Sequence, residues 1–365
     1  MNLRKICPFL LVIVLAISVA GCAGGGSGTA SSSSAPPAGM ASNPSSATPS
    51  TTANTQKIAI SHTNSNSSPW EIASLRFAEV INGNSDGAFT VETYPSGQLC
   101  QNNWEIMLEM VQTGSTQIGI EALTALGSLN PDVSLINLPF LFQDIDHVYN
   151  YLNSGDPVWE SFMKAFEDSN IVILGVAPRP MRQLNNNLRL VKTPEDIRGM
   201  KFRVPGNPLF VSIFEAIGAK PVPMAIGEVY SAIQLGTVNG EDNSVQTQYD
   251  FKTYEVAKYF TMWNYAADGS VIFMNKDFYY GATDEQRQLF HDAAAEWVKT
   301  NMAEDKAYFD VAYKVMEESG VEFYTMTEEE KEPFKELLKP VYEQYEAKDP
   351  NVYKGFMEGV AAAAK

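Results

Sequence analysis

The sequence predicts an α/β protein of two lobes with largely parallel sheets, and three observations carry that expectation. From Lys57 onward, short strand signals alternate with amphipathic helix signals. Hydrophobic residues make up 45% of the 365-residue chain and aromatics 11%, enough for real cores. The run from Thr283 to Gly320 opens on a capping box, Thr283-Asp284-Glu285-Gln286, and meets no Gly or Pro before its end. A helix of that run would be about 54 Å long at ~1.5 Å per residue, more than one lobe of this size spans. It is expected to bridge two lobes, because its apolar positions shift face gradually as in a helix touching different neighbours, and a break within it stays open.

The elements are taken in chain order. Arg4 and Lys5 form a basic n-region, and Pro8 to Ala20 form an apolar stretch too short to span a bilayer comfortably. The stretch ends in Val19-Ala20-Gly21-Cys22, which resembles the lipobox of bacterial lipoproteins, where the Cys is acylated and becomes the new N-terminus. The alternative is an ordinary signal peptide with a Cys near its cleavage site. The next segment favours the lipobox: Ala23 to Gln56 carries no charge and is almost wholly Gly, Ser, Thr, Ala, Pro and Asn. Such a tract cannot offset its ordering entropy and reads as a flexible tether between a membrane anchor and a folded domain. The expected division is therefore 1–21 signal peptide and 22–56 acylated Cys22 with tether. A membrane-anchored, extracytoplasmic location is expected on that division.

Lys57 to Ser61 alternates as a strand, and Pro69 opens an amphipathic helix running to about Asn82 (Trp70, Ala73, Phe77, Val80). Ala88 to Tyr94 is a strand closed by Pro95-Ser96-Gly97. Trp104, Met107, Leu108 and Val111 mark a helix stopped near Gly114, and Gln117 to Glu121 is a strand again. Ile171 to Val176 is a buried strand and Lys201 to Val204 a short one. Asn207-Pro208 caps a helix that ends at Gly218, and Gly227-Glu228 starts another.

Charge and composition exclude several classes. With 43 Asp and Glu against 26 Lys and Arg, the net charge is −17, which argues against nucleic-acid binding. Three scattered Cys make neither a disulfide framework nor a CxxC zinc site, and Cys100 reads as a small buried hydrophobe. His62, His147 and His291 have no metal-ligand spacing, and His147 reads as a helix-start or structural residue. There is no GxSxG elbow and no phosphate loop, so no enzyme, cofactor or metal site is expected. Glu329 and Glu330 read as a solvated helix face.

In open α/β sheets, ligands bind beyond the carboxyl ends of the strands. His62 and Asn64 follow the first strand, and Glu121 ends the third. Arg179 and Arg182 follow Ile171–Val176, Arg203 sits near the end of its strand, and Asn239, Glu241 and Asn243 follow Val238. The strand-end rule thus gathers acidic and basic candidates, although a lone Arg at a strand end is more often solvated. Trp70, Trp263 and Tyr230 could contact a ligand, although such aromatics are more often core, and Tyr230 and Trp263 join the candidates.

The runs Gly199-Met200-Lys201-Phe202-Arg203-Val204-Pro205, Pro221-Val222-Pro223-Met224 and Gly227-Glu228-Val229-Tyr230 through Asn239-Gly240-Glu241-Asp242-Asn243 resemble the solute-binding proteins of TRAP transporters, dicarboxylate-receptor (DctP) type. Tyr254 to Phe260, Tyr94 to Leu99 and Asn137 to Phe142 extend the resemblance, which covers nearly everything from Lys57 onward. It implies a two-lobed, periplasmic-binding-protein-like fold with a ligand cleft between the lobes and a long helix spanning both. Lobe I would hold 57–179 plus 269–308, and lobe II 180–268 plus 309–365. The resemblance places Arg203 on the family's carboxylate-holding position, Arg182 on a second Arg near the ligand, Asn243 on an Asn that closes over it, and Glu121 where sugar-acid hydroxyls are met. A planar guanidinium fork that stays charged when buried suits the carboxylate role. The chain departs from the usual pattern at Asn239, Glu241, Asp242 and Ser244, where Asp, Gln, Glu and Pro are usual, and at Cys100, where Gly often stands.

The resemblance implies an extracytoplasmic receptor that delivers a small organic acid to TRAP membrane permease subunits. Glu121 would repel a second ligand carboxylate and suit hydroxyls, which tilts the expectation toward a hydroxylated monocarboxylate such as a sugar acid. C4-dicarboxylates and keto acids stay open as ligands, and so does a role as the input of a signalling partner.

Overall fold

The computed structural model describes residues 55–364. The signal segment, Cys22 and nearly all of the tether lie outside the described residues. The described chain begins with β1 (Gln56–Ser61), which crosses through α1 (Pro69–Asn84) to the parallel β2 (Phe89–Tyr94). Ser68 starts α1 by accepting from the Glu71 N–H, and Pro69 fits the first helical turn because that turn needs no donor. After α2 (Trp104–Gln112), capped by Asn103, the chain enters β3 (Ile118–Ala122), parallel to β1, and the short α3 (Leu123–Leu126). Next come α4 (Ile145–Leu152), α5 (Pro157–Ala165) and the long β4 (Ile171–Arg179).

The chain then passes to a second sheet through β5 (Gln183–Asn186), α6 (Pro194–Ile197), β6 (Lys201–Val204), α7 (Pro208–Ala216) and β7 (Lys220–Pro223). It continues with α8 (Val229–Gln234), β8 (Gly240–Asn243), α9 (Val245–Asp250) and β9 (Tyr259–Met262). β10 (Asp268–Asn275) returns to the first sheet and leads through α10 (Lys276–Gly281) into α11 (Asp284–Glu318). The last elements are β11 (Glu322–Thr325), α12 (Glu328–Lys348) and α13 (Pro350–Ala363).

The two sheets have orders β2-β1-β3-β10-β4 and β11-β9-β5-β8-β6-β7. Each is mixed, which corrects the expectation of largely parallel sheets: β10 runs antiparallel to β3 and β4, and β5 antiparallel to β8 and β9. These two strands are reached by chain that crosses between the sheets. The right-handed crossover rule that makes neighbours parallel acts only within one sheet.

The long helix is continuous over 35 residues, with Thr283 and Gln286 exchanging both capping-box bonds. Its first half buries Phe290, Ala293, Ala294 and Trp297 against α1 and the first sheet. Its second half packs Ala312 and Met316 with Val245, Phe260 and Val321 of the second. The helix spans both lobes. α13 departs from the expected placement of 309–365: Phe356 lies against Tyr151 and Phe162 of α4 and α5, with ring centroids 5.3 and 6.3 Å apart. An apolar helix face packs on the nearest uncovered apolar surface, here on the first-lobe side. His147 is structural, its N–H capped by Asp144 and its Nε2 2.9 Å from the Val360 carbonyl. Among the described residues, no helix is long and apolar enough to cross a membrane.

Candidate functional site

The strand ends of the two sheets face each other across a narrow cavity. Thr63 and Asn64 enter it after β1, Glu121 at the end of β3, and Thr124 and Ala125 from α3. From the other side come Arg203 on β6 with Pro205 and Gly206 beyond it, Asn243 at the end of β8, and Thr247 on α9. Arg179 and Arg182 lie where β4 crosses to β5, while Trp70, Trp104, Ile226 and Phe251 supply apolar walls. The space open to the centre of a water-sized sphere is about 50 Å³, so a ligand larger than a few waters needs the lobes to part before it enters.

The three arginines differ in how far the protein has already used them. Arg182 donates from Nε to Asp242 Oδ2 at 2.6 Å, from Nη1 to Asp268 Oδ2 at 3.2 Å and from Nη2 to the Asp242 carbonyl at 2.8 Å. Although burial opposes its charge, these neighbours raise its pKa above the ordinary value and hold it charged. Arg179 donates to Asp268 Oδ2 at 3.1 Å, to Asn243 Oδ1 at 3.4 Å and to the Thr247 hydroxyl. Its guanidinium also lies 5.6 Å from the centre of the Trp70 ring.

Arg203 is different. Its Nε donates to the Met224 carbonyl at 2.9 Å, but neither terminal nitrogen makes a hydrogen bond among the described residues. The nearest carboxylate oxygen, Glu241 Oε2, is 3.7 Å from Nη1. Burial pulls the Arg203 pKa below its ordinary value, against Glu241 and Asp242, yet a guanidinium stays protonated.

Glu121 faces the arginines with one oxygen spent and one free. Oε1 accepts from the Ala122 N–H at 2.9 Å, and buried Oε2 has no hydrogen-bond partner among the described residues. Burial pushes its carboxyl up to about 7, against the pull of Ala122, Arg179 and Arg203. Behind the wall, Glu241 accepts from the Thr253 hydroxyl at 2.6 Å and its pKa is also raised by burial. Asp242 receives the Tyr265 hydroxyl at 2.5 Å in addition to Arg182. The two acidic departures from the usual motif thus sit directly behind Arg203 and Arg182.

Five of the sequence candidates line this cavity together: Arg203, Arg182, Asn243, Glu121 and Asn64. Three do not. His62 is fully buried beside the wall, its Nε2 3.0 Å from Glu71 and its ring edge-on to Trp70. Tyr230 is not among the residues lining the cavity and donates to Glu255 at 3.2 Å. Trp263 is core, tilted against Tyr265 with ring centroids 4.4 Å apart and edge-on to Phe334. Arg179, which the strand-end rule also gathered, lines the cavity, and so does Trp70, which the sequence favoured as core. Trp104, Thr124, Thr247 and Phe251 line it as well and carried no sequence signal toward a site. Cys100 is buried in the core near the same wall.

Residues 60–349 match the family model described as bacterial extracellular solute-binding protein, family 7 (DctP). The C4-dicarboxylate-binding protein DctB of Bacillus subtilis is 26% identical over 289 residues, covering 78% of this chain and 81% of that protein. Among solved structures, a TRAP periplasmic solute binding protein from Pseudomonas putida with bound D-glucuronate is 27% identical. It superposes with a TM-score of 0.77 over 82% of this chain and 96% of that one. The sugar acid binding protein DctPAm from Advenella mimigardefordensis, in complex with galactonate, is 26% identical, with a TM-score of 0.79 over 85% and 99%.

Proposed function

Because the chain belongs to the family 7 bacterial extracellular solute-binding proteins, a family of receptors rather than enzymes, we propose that it binds a hydroxylated monocarboxylate of the uronate or aldonate class and hands it to TRAP membrane subunits. The observation that carries the reading is the single open guanidinium. Arg179 and Arg182 are tied to Asp268 and Asp242, whereas the terminal nitrogens of Arg203 make no hydrogen bond among the described residues. One open fork matches one carboxylate in a two-bond, charge-assisted pair. Glu121, Asn64 and Asn243 then meet ligand hydroxyls, and Trp70, Trp104 and Phe251 cover its carbon skeleton.

The two solved relatives with a bound uronate and a bound aldonate support this class. The Bacillus relative named for C4-dicarboxylates supports a second reading, in which Arg179 or Arg182 takes a second carboxylate. That would require a dianion to displace Asp268 or Asp242 from pairs already formed, and it is disfavoured for that reason. Calorimetry with D-glucuronate, D-galacturonate, D-galactonate and succinate tests the choice. At least one sugar acid should bind tenfold or more tighter than succinate; succinate binding as tightly as the best of them overturns the reading.

The location is read from the leader. Val19-Ala20-Gly21-Cys22 with the uncharged tract after it supports acylation at Cys22 and an anchor on the outer face of a membrane. Cells fed a labelled fatty acid should label the parent chain but not Cys22→Ser. Equal labelling of both would remove the anchor.

A further inference from the structure

The charges around the cavity do not balance, and the imbalance bears on how an anion is taken. Arg179, Arg182 and Arg203 bring three positive charges, while Asp242, Asp268, Glu241 and Glu121 bring four negative ones when all are ionised. Asp305 of α11 adds a further carboxyl within electrostatic reach of Arg179. An arriving anion would leave two uncompensated negative charges in a buried space, where each is costly.

The three carboxylates other than Glu121 each hold side-chain donors, although Asp242 Oδ1 and Glu241 Oε2 are also buried without a hydrogen-bond partner among the described residues. Asp268 receives Arg179, Arg182 and the N–H groups of Thr124 and Gly269. Asp242 receives Arg182 and Tyr265, and Glu241 receives Thr253 beside Arg203. Among the described residues, Glu121 alone of these carboxylates both faces the cavity and keeps a buried oxygen, Oε2, without a donor. The groups acting on it are Arg179 at the end of β4, Asp268 at the start of β10, Arg203 on β6 and the neutral Cys100 thiol from the loop after β2. His62, at the end of neighbouring β1, is already bonded to Glu71.

We propose that Glu121 is the charge-matching residue of this receptor: the ligand anion binds together with one proton, which Glu121 Oε2 takes up and then donates as a hydrogen bond to a ligand oxygen. This deepens the reading of Arg203 as the carboxylate clamp and rests on it. It also limits the site to one ligand charge, because Glu121 is the one carboxyl among the described residues that lines the cavity, while Glu241 and Asp242 behind the wall already neutralise Arg203 and Arg182. The free carboxyl is already pushed up to about 7 by burial, so it is partly ionised at neutral pH and has a proton to gain.

The sign is set by linkage. Below pH 7 Glu121 is mostly protonated before the ligand arrives, and affinity is flat. Above pH 7 each binding event must capture a proton, so the Kd rises toward about tenfold per pH unit. Proton uptake rises from about half a proton at pH 7 toward one at pH 8.

Two measurements test this. Infrared titration of the ligand-free protein, as the wild-type minus Glu121→Gln difference, should show one carboxyl with a midpoint near 7. A carboxylate ionised throughout pH 5–9 overturns the proposal whether or not any sugar acid binds. Calorimetry with D-glucuronate in buffers of different ionisation enthalpy should show the uptake in the wild type, none in Glu121→Gln, and an undiminished uptake in Asp305→Asn. Proton release on binding, or loss of the uptake in Asp305→Asn instead, overturns it as well. Tight binding with no proton exchanged refutes the linkage while leaving the clamp standing.

Discussion

Arg203 and Arg182 sit one strand apart on the same wall, yet substitution should affect them in different ways. Arg203 offers its terminal donors to the cavity, so removing it subtracts ligand contacts and leaves Glu241 with Thr253. Losing one partner of a buried charge pair typically costs about 2–5 kcal/mol. At ~1.4 kcal/mol per tenfold, Arg203→Ala should weaken binding of the best acid by roughly thirty-fold or more. Arg203→Lys should recover only part, since an ammonium lacks the planar fork. Calorimetry on folded variants checks both, and near-parental affinity in Arg203→Ala would end the clamp assignment. Arg182 instead joins Asp242 and Asp268, so its loss should appear first as a lower unfolding midpoint. Sequence alone brought the two residues to the same place through the strand-end rule but could not separate their roles. Whether a guanidinium is open depends on carboxylates brought from β8 and β10, which are distant in sequence. For the same reason Trp263 and Tyr230 misled, because aromatic character says nothing about which way a ring faces.

At the scale of elements, the signals that were legible are local ones. Pro69, Asn207 and the Thr283 capping box mark where α1, α7 and α11 begin, and the structure adds Ser68 and Asn103 as the caps of α1 and α2. Strand direction was not legible, since β5 and β10 are entered across the hinge and take their direction from tertiary contacts. Gly240 combines both kinds of information. It lies in the motif that marks β8, but its necessity comes from β5. A Cβ there would sit 1.9 Å from the Asn185 carbonyl oxygen and 2.7 Å from the Asn186 Cα, both backbone atoms that cannot swing aside. Gly240→Ala should therefore push β8 off β5, with a cost of about 2–3 kcal/mol by the usual scale of overpacking. The displacement would also carry Asp242 and Asn243 away from Arg182 and Arg179. Urea unfolding should show a clearly lower midpoint, and ligand affinity should fall with it. An unchanged midpoint would mean that the two strands are free to separate at no cost.

For the molecule as a whole, the contacts between the lobes fall into two kinds. At the crossings, the β4–β5 segment, the β9–β10 segment and the unbroken α11 join the sheets covalently and through packed cores. Around the cavity the lobes meet by a few polar contacts. The Ser65 N–H donates to Asp250 at 2.8 Å, and Asn207 donates to the Thr124 carbonyl at 3.2 Å and the Ser134 hydroxyl at 2.9 Å. At Gly227 the second lobe comes so near the first that an added Cβ would lie 3.3 Å from the Asn102 carbonyl oxygen. These bonds, buried at Asn207 and part-buried at Ser65, contribute only about 0.5–1.5 kcal/mol each once water replaces them on opening, so parting the lobes costs little while the hinge stays intact. A ligand that touches Arg203 on one face and Glu121 on the other binds the closed arrangement in preference to the open one. It shifts the population by that difference in affinity. Probes at Gln98 and Leu235, exposed on opposite lobes, should therefore move closer when the best acid is added. Gly227→Val should act as a wedge, since its branched side chain would press on Asn102 without entering the hinge. It should hold the probes farther apart and weaken binding several-fold, chiefly through faster release. A probe distance that does not change at saturating ligand, or a Gly227→Val variant that binds and closes like the parent, would show that capture does not proceed by closure of the two lobes.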